Sequence, residues 1–522
     1  MTYTLPPDMP RADTRRISVV SPAIHLPLAT NQQHELVTLQ LMGRQFGELY
    51  SMSTPFCLRL LGQLDINALE KAINKLIERH AALRLRWFPN HVFSPRERED
   101  HLRNFTASFF KDLFLQSVDQ SSSVALGFLD LTFYRNDAKE SAFLEAAAVD
   151  VQTPFNSPPF IRTTLVRFAE EEHRLLVNLN HLVADGWSAG VLISELPQLY
   201  SEATGNHTST IAAAPVSFAD FAVWQRNIFR SGGFDEELDF WRKQWCTFGS
   251  SRIALEELPF VSSLPKRPCT RRQMRTYHLD SGSRVNVSSL MRTTRASLHM
   301  VTTAAYITVL SFITGRQEIA LSSIFANREQ PELQDAVGYF ANKHLMGFSL
   351  APGQTVVALI EQVRSVFLDG LKNQALPILY LWQRLGAQPL MPDVPLTVEA
   401  TPNVSELAKC RRVGELRFYT EKYPEVPRLR WSPFGISVTT VDDKVALHAI
   451  YATEVFKDHV VDSVLSTIAQ LLMAFAVNPN STLGDLVKRV PLPARNRIRT
   501  NVMDRFIVSG WNRLPTVSKR YI

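Results

Sequence analysis

Residues 174–200 decide the fold: RLLVNLN (174–180), then His181-Leu-Val-Ala-Asp185-Gly186-Trp187-Ser188, then AGVLISELPQLY (189–200). The first run is short, apolar and bounded by charged residues, the pattern of a buried strand. The last returns to helical spacing, with Ser188 as a candidate cap. Strand, turn and helix in succession are the local plan of a mixed α/β layer, and they put His181 at a strand end. Pro197 sits inside the helical pattern and is expected to end or bend it, because it lacks an N–H and crowds the preceding turn.

Upstream, DINALEKAINKLIERHAALRLRWF (65–88) has a capping Asp65, with Leu69, Ile73, Leu76 and Ile77 at helical spacing before a strand-like run. Residues 98–123 show no clean period and read as an irregular excursion. Downstream, SFADFAVWQRNIF (217–229) and FDEELDFWRKQW (234–245) are two aromatic-rich helices joined by Ser-Gly-Gly. A Pro- and Ser-rich crossing with the basic patch KRPCTRR (266–272) follows, then a second mixed α/β body that closes on the amphipathic KDHVVDSVLSTIAQLLMAFAV (457–477). The expected organisation is a flexible arm over 1–22, a first lobe over 23–200, a helical connection and linker over 201–275, a second lobe over 276–493 and a basic tail over 494–522. That tail sets Arg495, Arg497, Arg499, Arg505, Arg513, Lys519 and Arg520 against the single acid Asp504.

The 522 residues are 45% hydrophobic and 20% charged, which excludes intrinsic disorder for most of the chain. The formal charge of +6, from 56 Lys and Arg against 50 Asp and Glu, is mild for this length. It suits an acidic protein partner and falls short of the basic stripe of a nucleic-acid binder. Cys57, Cys246, Cys269 and Cys410 form no C-x-x-C pair, so neither a disulfide framework nor a zinc site is read from them. The N-terminal MTYTLPPDMPRADTRR lacks the greasy core of a signal peptide, and VTTAAYITVLSFITG (301–315) is too short and too rich in Thr to span a bilayer. A cytoplasmic protein with no membrane partner is expected.

Of 13 histidines, His181 alone lies at a predicted strand end with an acid and a glycine at fixed offsets. A strand-to-helix turn holds a side chain firmly, and glycine lets a backbone N–H approach a reacting oxygen, so the pattern suits a general base beside an oxyanion donor. The same six residues also fit a core histidine satisfied by a carboxylate. No phosphate-binding glycine loop, H-E-x-x-H or clustered Cys/His spacing is present, so any catalysis needs a substrate that arrives already activated, with no metal.

Several segments together resemble the condensation domains of nonribosomal peptide synthetases. NHLVADGWSAG is similar to the family's H-H-x-x-x-D-G-W-S, and Arg79-His80-Ala-Ala-Leu83-Arg84 to its R-H-x-x-L-R. Phe218-Ala-Asp220-Phe-Ala-Val-Trp224-Gln225 with Phe240-Trp241, Val337-Gly338-Tyr-Phe340-Ala341-Asn342, and Val455-Phe456 before the last long helix complete the series in the family's order. The resemblance implies an α/β fold of two chloramphenicol-acetyltransferase-like lobes in a V, a pseudo-dimer with a tunnel between them. It implies acyl transfer from a thioester on the 4'-phosphopantetheine arm of an acyl or peptidyl carrier protein, supplied in trans, to a small-molecule or carrier-bound amine or hydroxyl. No permanently bound cofactor and a monomer are expected.

Carried over residue by residue, His181 accepts the nucleophile's proton or orients the nucleophile, and the Gly186 N–H is the oxyanion donor. Asp185 pairs with Arg79 or Arg84 to hold the turn, while Trp187, Ser188 and Asn342 approach the tunnel. Asn180 stands where the family has its first His and keeps a structural, non-titrating role. No adenylation or carrier module follows, so a free-standing enzyme, or a domain cut from a larger synthetase, is expected. The missing D-x-x-x-x-D pattern argues against a heterocyclising variant. Two alternatives stand beside this reading: a coenzyme A-dependent acyltransferase without a carrier, and an inactive carrier-binding platform.

Overall fold

The computed structural model describes residues 17–19, 25–46, 52–97, 112–120, 122–205, 211–212, 216–258, 261, 272–385, 396–399, 410–426, 433–441 and 444–489. Most of the expected arm, the KRPC stretch of the linker and the basic tail lie outside them. The first half runs β1 (Leu26–Pro27), α1 (Thr30–Phe46), β2 (Phe56–Leu61), α2 (Ile66–Arg79), β3 (Leu85–Pro89), β4 (Phe114–Val118), β5 (Gly127–Asp130), α3 (Asn136–Gln152), β6 (Ile161–Ala169), β7 (Glu172–Leu179) and α4 (Gly186–Ala203). Then α5 (Phe218–Arg230) and α6 (Asp235–Phe248) lead to β8 (Arg272–His278), α7 (Ser281–Thr294), α8 (Leu298–Thr314), β9 (Glu318–Phe325), β10 (Asn342–Ser349), α9 (Val356–Lys372) and α10 (Ile378–Leu385). The chain closes with β11 (Leu396–Glu399), β12 (Arg411–Val413), β13 (Leu416–Glu421), β14 (Phe434–Val441), β15 (Lys444–Ala452), α11 (Asp458–Val477) and α12 (Leu483–Arg489).

Two six-stranded sheets organise the molecule, ordered β12-β13-β2-β7-β6-β5 and β10-β9-β11-β14-β15-β8, beside a small β1-β4-β3 sheet. Helices cover each large sheet. On α2, Ala68, Leu69, Ala72, Ile73, Leu76 and Ile77 form the buried stripe, and Asp65 caps the first turn by accepting from Ala68 N at 2.9 Å. That stripe and the strands of the first sheet share a core with Leu333, Ala336, Val337, Phe340, Leu379 and Trp382, so the second half of the chain helps to build the core of the first.

The lobes are not consecutive in sequence. Between β11 and β14 the chain leaves the second sheet, and β13 pairs antiparallel with β2, Phe418 opposite Leu60. Three local expectations are corrected. Residues 114–118, inside the expected excursion, form a strand in which Phe114 and Gln116 are buried and Gln116 Nε2 donates to Pro27 O at 2.7 Å. α4 continues through Pro197 to Ala203, because buried Ile193, Leu196, Leu199 and Tyr200 pack on the first-lobe core and outweigh the ~3 kcal/mol a mid-helix proline costs. Its cap is Asp185, with Ser188 completing a capping box.

The helix 458–477 is long and apolar enough to cross a membrane. One face, including Val461, Leu465, Ile468, Leu472 and Phe475, is buried in the second-lobe core, as befits a core helix.

Burial also sets an acid limit on this fold. It holds the imidazoles of His299 and His448 down at about 4 and that of His344 at about 3, where His344 stacks on Trp241 with centroids 4.0 Å apart. The unfolded chain binds protons near the ordinary histidine value, so each group stabilises the fold fully above about pH 6.5 and loses that contribution as the pH falls toward 4. Burial raises Asp150 and Glu421, which offsets part of the loss. Equilibrium unfolding is expected to show stability falling by several kcal/mol between about pH 6.5 and 4, with His344→Phe flattening the slope. A flat profile across that window would show that these rings are protonated without cost.

Candidate active site

The turn after β7 is pinned from two sides. Ser53 bridges to Asn180, Thr54 N donates to Leu179 O and His181 N donates to Met52 O, both at 2.9 Å, so the segment before β2 extends the sheet beside the site. Asn180 is buried, and its Oδ1 accepts from Leu182 N at 2.9 Å, which makes it a turn-former. Asn180→His is therefore expected to change turnover by less than ~10-fold in a steady-state assay. A much larger change would put the residue in the mechanism.

His181 is partly exposed, with Nδ1 2.7 Å from Ala184 O and 3.3 Å from Thr54 Oγ1. A carbonyl only accepts, so Nδ1 carries the proton, and in the neutral ring the lone pair belongs to Nε2. Tyr339, from the segment entering β10, lies against the imidazole with centroids 4.5 Å apart and planes tilted by 36°. Gly186 begins α4 and is exposed. A Cβ built on it would meet no heavy atom within 4 Å, so the space off its Cα is open, and the N–H of a first helical residue is one that the helix itself leaves unpaired.

Asp185 is buried, and its carboxylate is fully engaged. Oδ1 accepts from Ser188 N (2.9 Å) and Arg328 Nη2 (3.1 Å) and lies 2.8 Å from Ser188 Oγ. Oδ2 accepts from Phe340 N (3.1 Å) and Ala341 N (3.3 Å). The expected pairing with Arg79 or Arg84 is thus corrected: the partner is Arg328, 143 residues away, and both side chains are almost fully buried.

Arg79 instead donates from Nε to Glu195 Oε2 at 3.0 Å, beside His80 Nε2 at 2.8 Å from the same oxygen. Arg84 donates to the carbonyls of Ile77, Glu78 and Asp119. Ten residues of helix, about 15 Å, separate Asp185 from Glu195, and the C-terminus of α2 meets α4 at the latter's level.

Two expected tunnel residues are also corrected. Ser188 is fully buried, its Oγ 2.9 Å from Gly338 O and accepting from Gly338 N at 3.1 Å. Asn342 is fully buried too: its Oδ1 accepts from Asn31 Nδ2 and its Nδ2 donates to Gln374 O, both at 2.7 Å. Each is a bracket between segments distant in the chain. Trp187 alone of the three is substantially exposed, at 36%, and its Nε1 donates to Gln334 O at 2.8 Å.

Sequence reasoning missed Arg328 and Tyr339. Arg328 follows Asn327, a non-glycine residue at φ 54°, and donates to the carbonyls of Leu333 and Ala336 while lying 4.3 Å from the Phe340 ring centroid. A basic residue soon after the apolar run EIALSSIF is the signal the sequence offers for Arg328, and Tyr339 lies inside the VGYFAN motif, where nothing in the pattern sets it apart. Among the described residues, no group of three or more His, Cys, Asp or Glu is placed to hold a metal ion.

A family model described as the condensation domain matches residues 94–489. The chain belongs to that family. A linear gramicidin synthase of Brevibacillus parabrevis is 27% identical over 465 residues, covering 87% of this chain but only 6% of the synthase. The X-domain from teicoplanin biosynthesis superposes with a TM-score of 0.72 at 18% identity, covering 90% of this chain and 99% of that one. The starter condensation domain of rhizomide synthetase RzmA, an R148A variant in complex with C8-CoA, gives 0.71 at 16% identity over 88% and 96%. The condensation-domain fold is that of two chloramphenicol-acetyltransferase-like lobes, as expected from the sequence. Condensation domains of peptide synthetases are in general acyltransferases that form amide bonds in natural-product assembly, and this chain carries that domain.

Proposed function

We propose that this condensation domain transfers an acyl group from the 4'-phosphopantetheine thioester of a carrier protein, supplied in trans, to an amine or hydroxyl acceptor in a tunnel between its lobes. The observation that supports the reading most is the 2.7 Å contact between His181 Nδ1 and Ala184 O. Because Ala184 O holds the Nδ1 proton, Nε2 is the basic nitrogen, and the same turn carries Gly186, whose Cα faces open space. His181 Nε2 takes the nucleophile's proton as the new C–N or C–O bond forms. The Gly186 N–H stabilises the carbonyl oxygen's developing charge. Collapse then breaks the C–S bond, and the proton passes from His181 to the departing thiolate. Asp185 holds the turn and takes no proton.

This enzyme works as a cytoplasmic monomer with no resident cofactor. Delivery by a carrier is tested by comparing acyl transfer from a carrier-bound donor with transfer from a pantetheine thioester of the same acyl group, at low and high salt. The carrier donor is expected to be favoured, and the preference to shrink with salt, since charge steering fades beyond ~8 Å at physiological strength. The basic tail after Ala494 is a candidate docking segment. A second reading, a coenzyme A thioester as donor, draws on the C8-CoA held by the rhizomide synthetase relative. Equal use of both donors without a salt effect, with the coenzyme A thioester at least as good, would establish that reading instead.

A further inference from the structure

We propose that Tyr339 is a positioning residue for His181, delivered by the second half of the chain and locked in place by Asp185. The segment that carries it is held at almost every step. Gly338 N donates to Ser188 Oγ at 3.1 Å, and Phe340 N and Ala341 N donate to Asp185 Oδ2 at 3.1 and 3.3 Å. Gly338 has no room for a side chain: a Cβ there would lie 2.5 Å from the Phe218 ring. Phe340 turns into the core against Phe218 and Phe221, with centroids 5.1 and 4.8 Å away. With its neighbours so fixed, the ring of Tyr339 has one place to go, against the imidazole at 4.5 Å.

Two of the contacts on His181 divide the task. The Nδ1 bond to Ala184 O fixes the tautomer, and the aromatic face laid on the imidazole limits its swing about that bond and steadies the direction of Nε2. The phenol does this as a neutral group, since burial, reinforced by the charges of Glu35 and Asp185, pushes it well above its ordinary range. The ring, and not the hydroxyl, is therefore the working part. The buried Asp185–Arg328 pair gains a purpose as well: it fastens the first-lobe turn to the segment that orients its histidine.

The catalytic half of this inference rests on the acyl-transfer reading, so one arm of the test is independent of turnover. On the full chain, the rate at which diethyl pyrocarbonate modifies His181, read by peptide mass spectrometry, is expected to rise ~5-fold or more in Tyr339→Ala and to stay at the wild-type value in Tyr339→Phe. An unchanged rate in Tyr339→Ala would overturn the contact. Tyr339→Leu, which keeps the volume without the aromatic face, serves if the alanine variant fails to fold.

In the activity arm, Tyr339→Ala is expected to lower kcat ~10-fold with KM for the acyl donor nearly unchanged, and Tyr339→Phe to restore it. In a His181→Ala background the same change should cost nothing further, because a positioning residue has nothing left to position. A full additional loss there, or a phenylalanine variant as poor as alanine, would overturn the assignment. No turnover in any protein, together with the expected labelling pattern, would count against acyl transfer and for the Tyr339–His181 contact.

Discussion

His181→Ala is expected to lower turnover by ~10²- to 10⁴-fold while the melting temperature stays within a few degrees of the wild type. The ring is partly exposed at the end of a strand whose neighbours are otherwise pinned by backbone bonds, including Thr54 N to Leu179 O, so its removal leaves the turn intact. What disappears is the one nitrogen whose partner on the other side of the ring, Ala184 O, guarantees that it is basic. Residual activity is expected, because positioning of the two substrates and the Gly186 N–H survive. A folded His181→Ala protein with wild-type turnover would remove the histidine from the mechanism.

Asp185→Ala is expected to cost ~3 to 5 kcal/mol of stability, because it strands the Arg328 guanidinium in a site where both side chains are almost fully buried. Burial already pulls Arg328 below its ordinary range, with Asp185 as the main opposing influence. Thermal or urea unfolding reads the loss, and turnover should fall with it, since Phe340 N and Ala341 N lose their acceptor and the segment bearing Tyr339 loosens. Replacing Arg328 as well should cost much less than the sum of the single changes, as the second substitution removes the stranded charge. An unchanged melting temperature with activity abolished would instead place Asp185 in the chemistry.

Much of this was legible in the sequence because it is local. The strand at 174–180, the turn after it and α4 follow from a change of period within thirty residues, and the cap at Asp65 and the apolar stripe of α2 from one heptad-scale pattern. The resemblance in five short segments supplied the two-lobe architecture that no period could.

What escaped is long-range. Asp185 has basic candidates in the motif at 79–84, yet its partner is 143 residues away, because burial of a carboxylate is settled by which elements pack together and not by proximity along the chain. The crossing of β13 to pair with β2 defeats the usual rule that consecutive elements stay adjacent. Ser188 and Asn342 look like tunnel-lining polar residues in a motif. In the fold each spends its hydrogen-bonding capacity on a bracket between distant segments, which a sequence pattern has no means to display.

The most direct test of acyl transfer follows, by mass spectrometry, a carrier protein loaded with an acyl group on its phosphopantetheine arm, the enzyme itself and an amine acceptor through a single turnover. Direct attack on the thioester requires that amide product and free-thiol carrier appear together, at a rate that drops ~10²-fold or more in His181→Ala, with no acyl group on the enzyme at any time. An acylated enzyme, or a folded wild-type protein that binds the loaded carrier and leaves the thioester intact across a panel of acyl groups and amines, would contradict it.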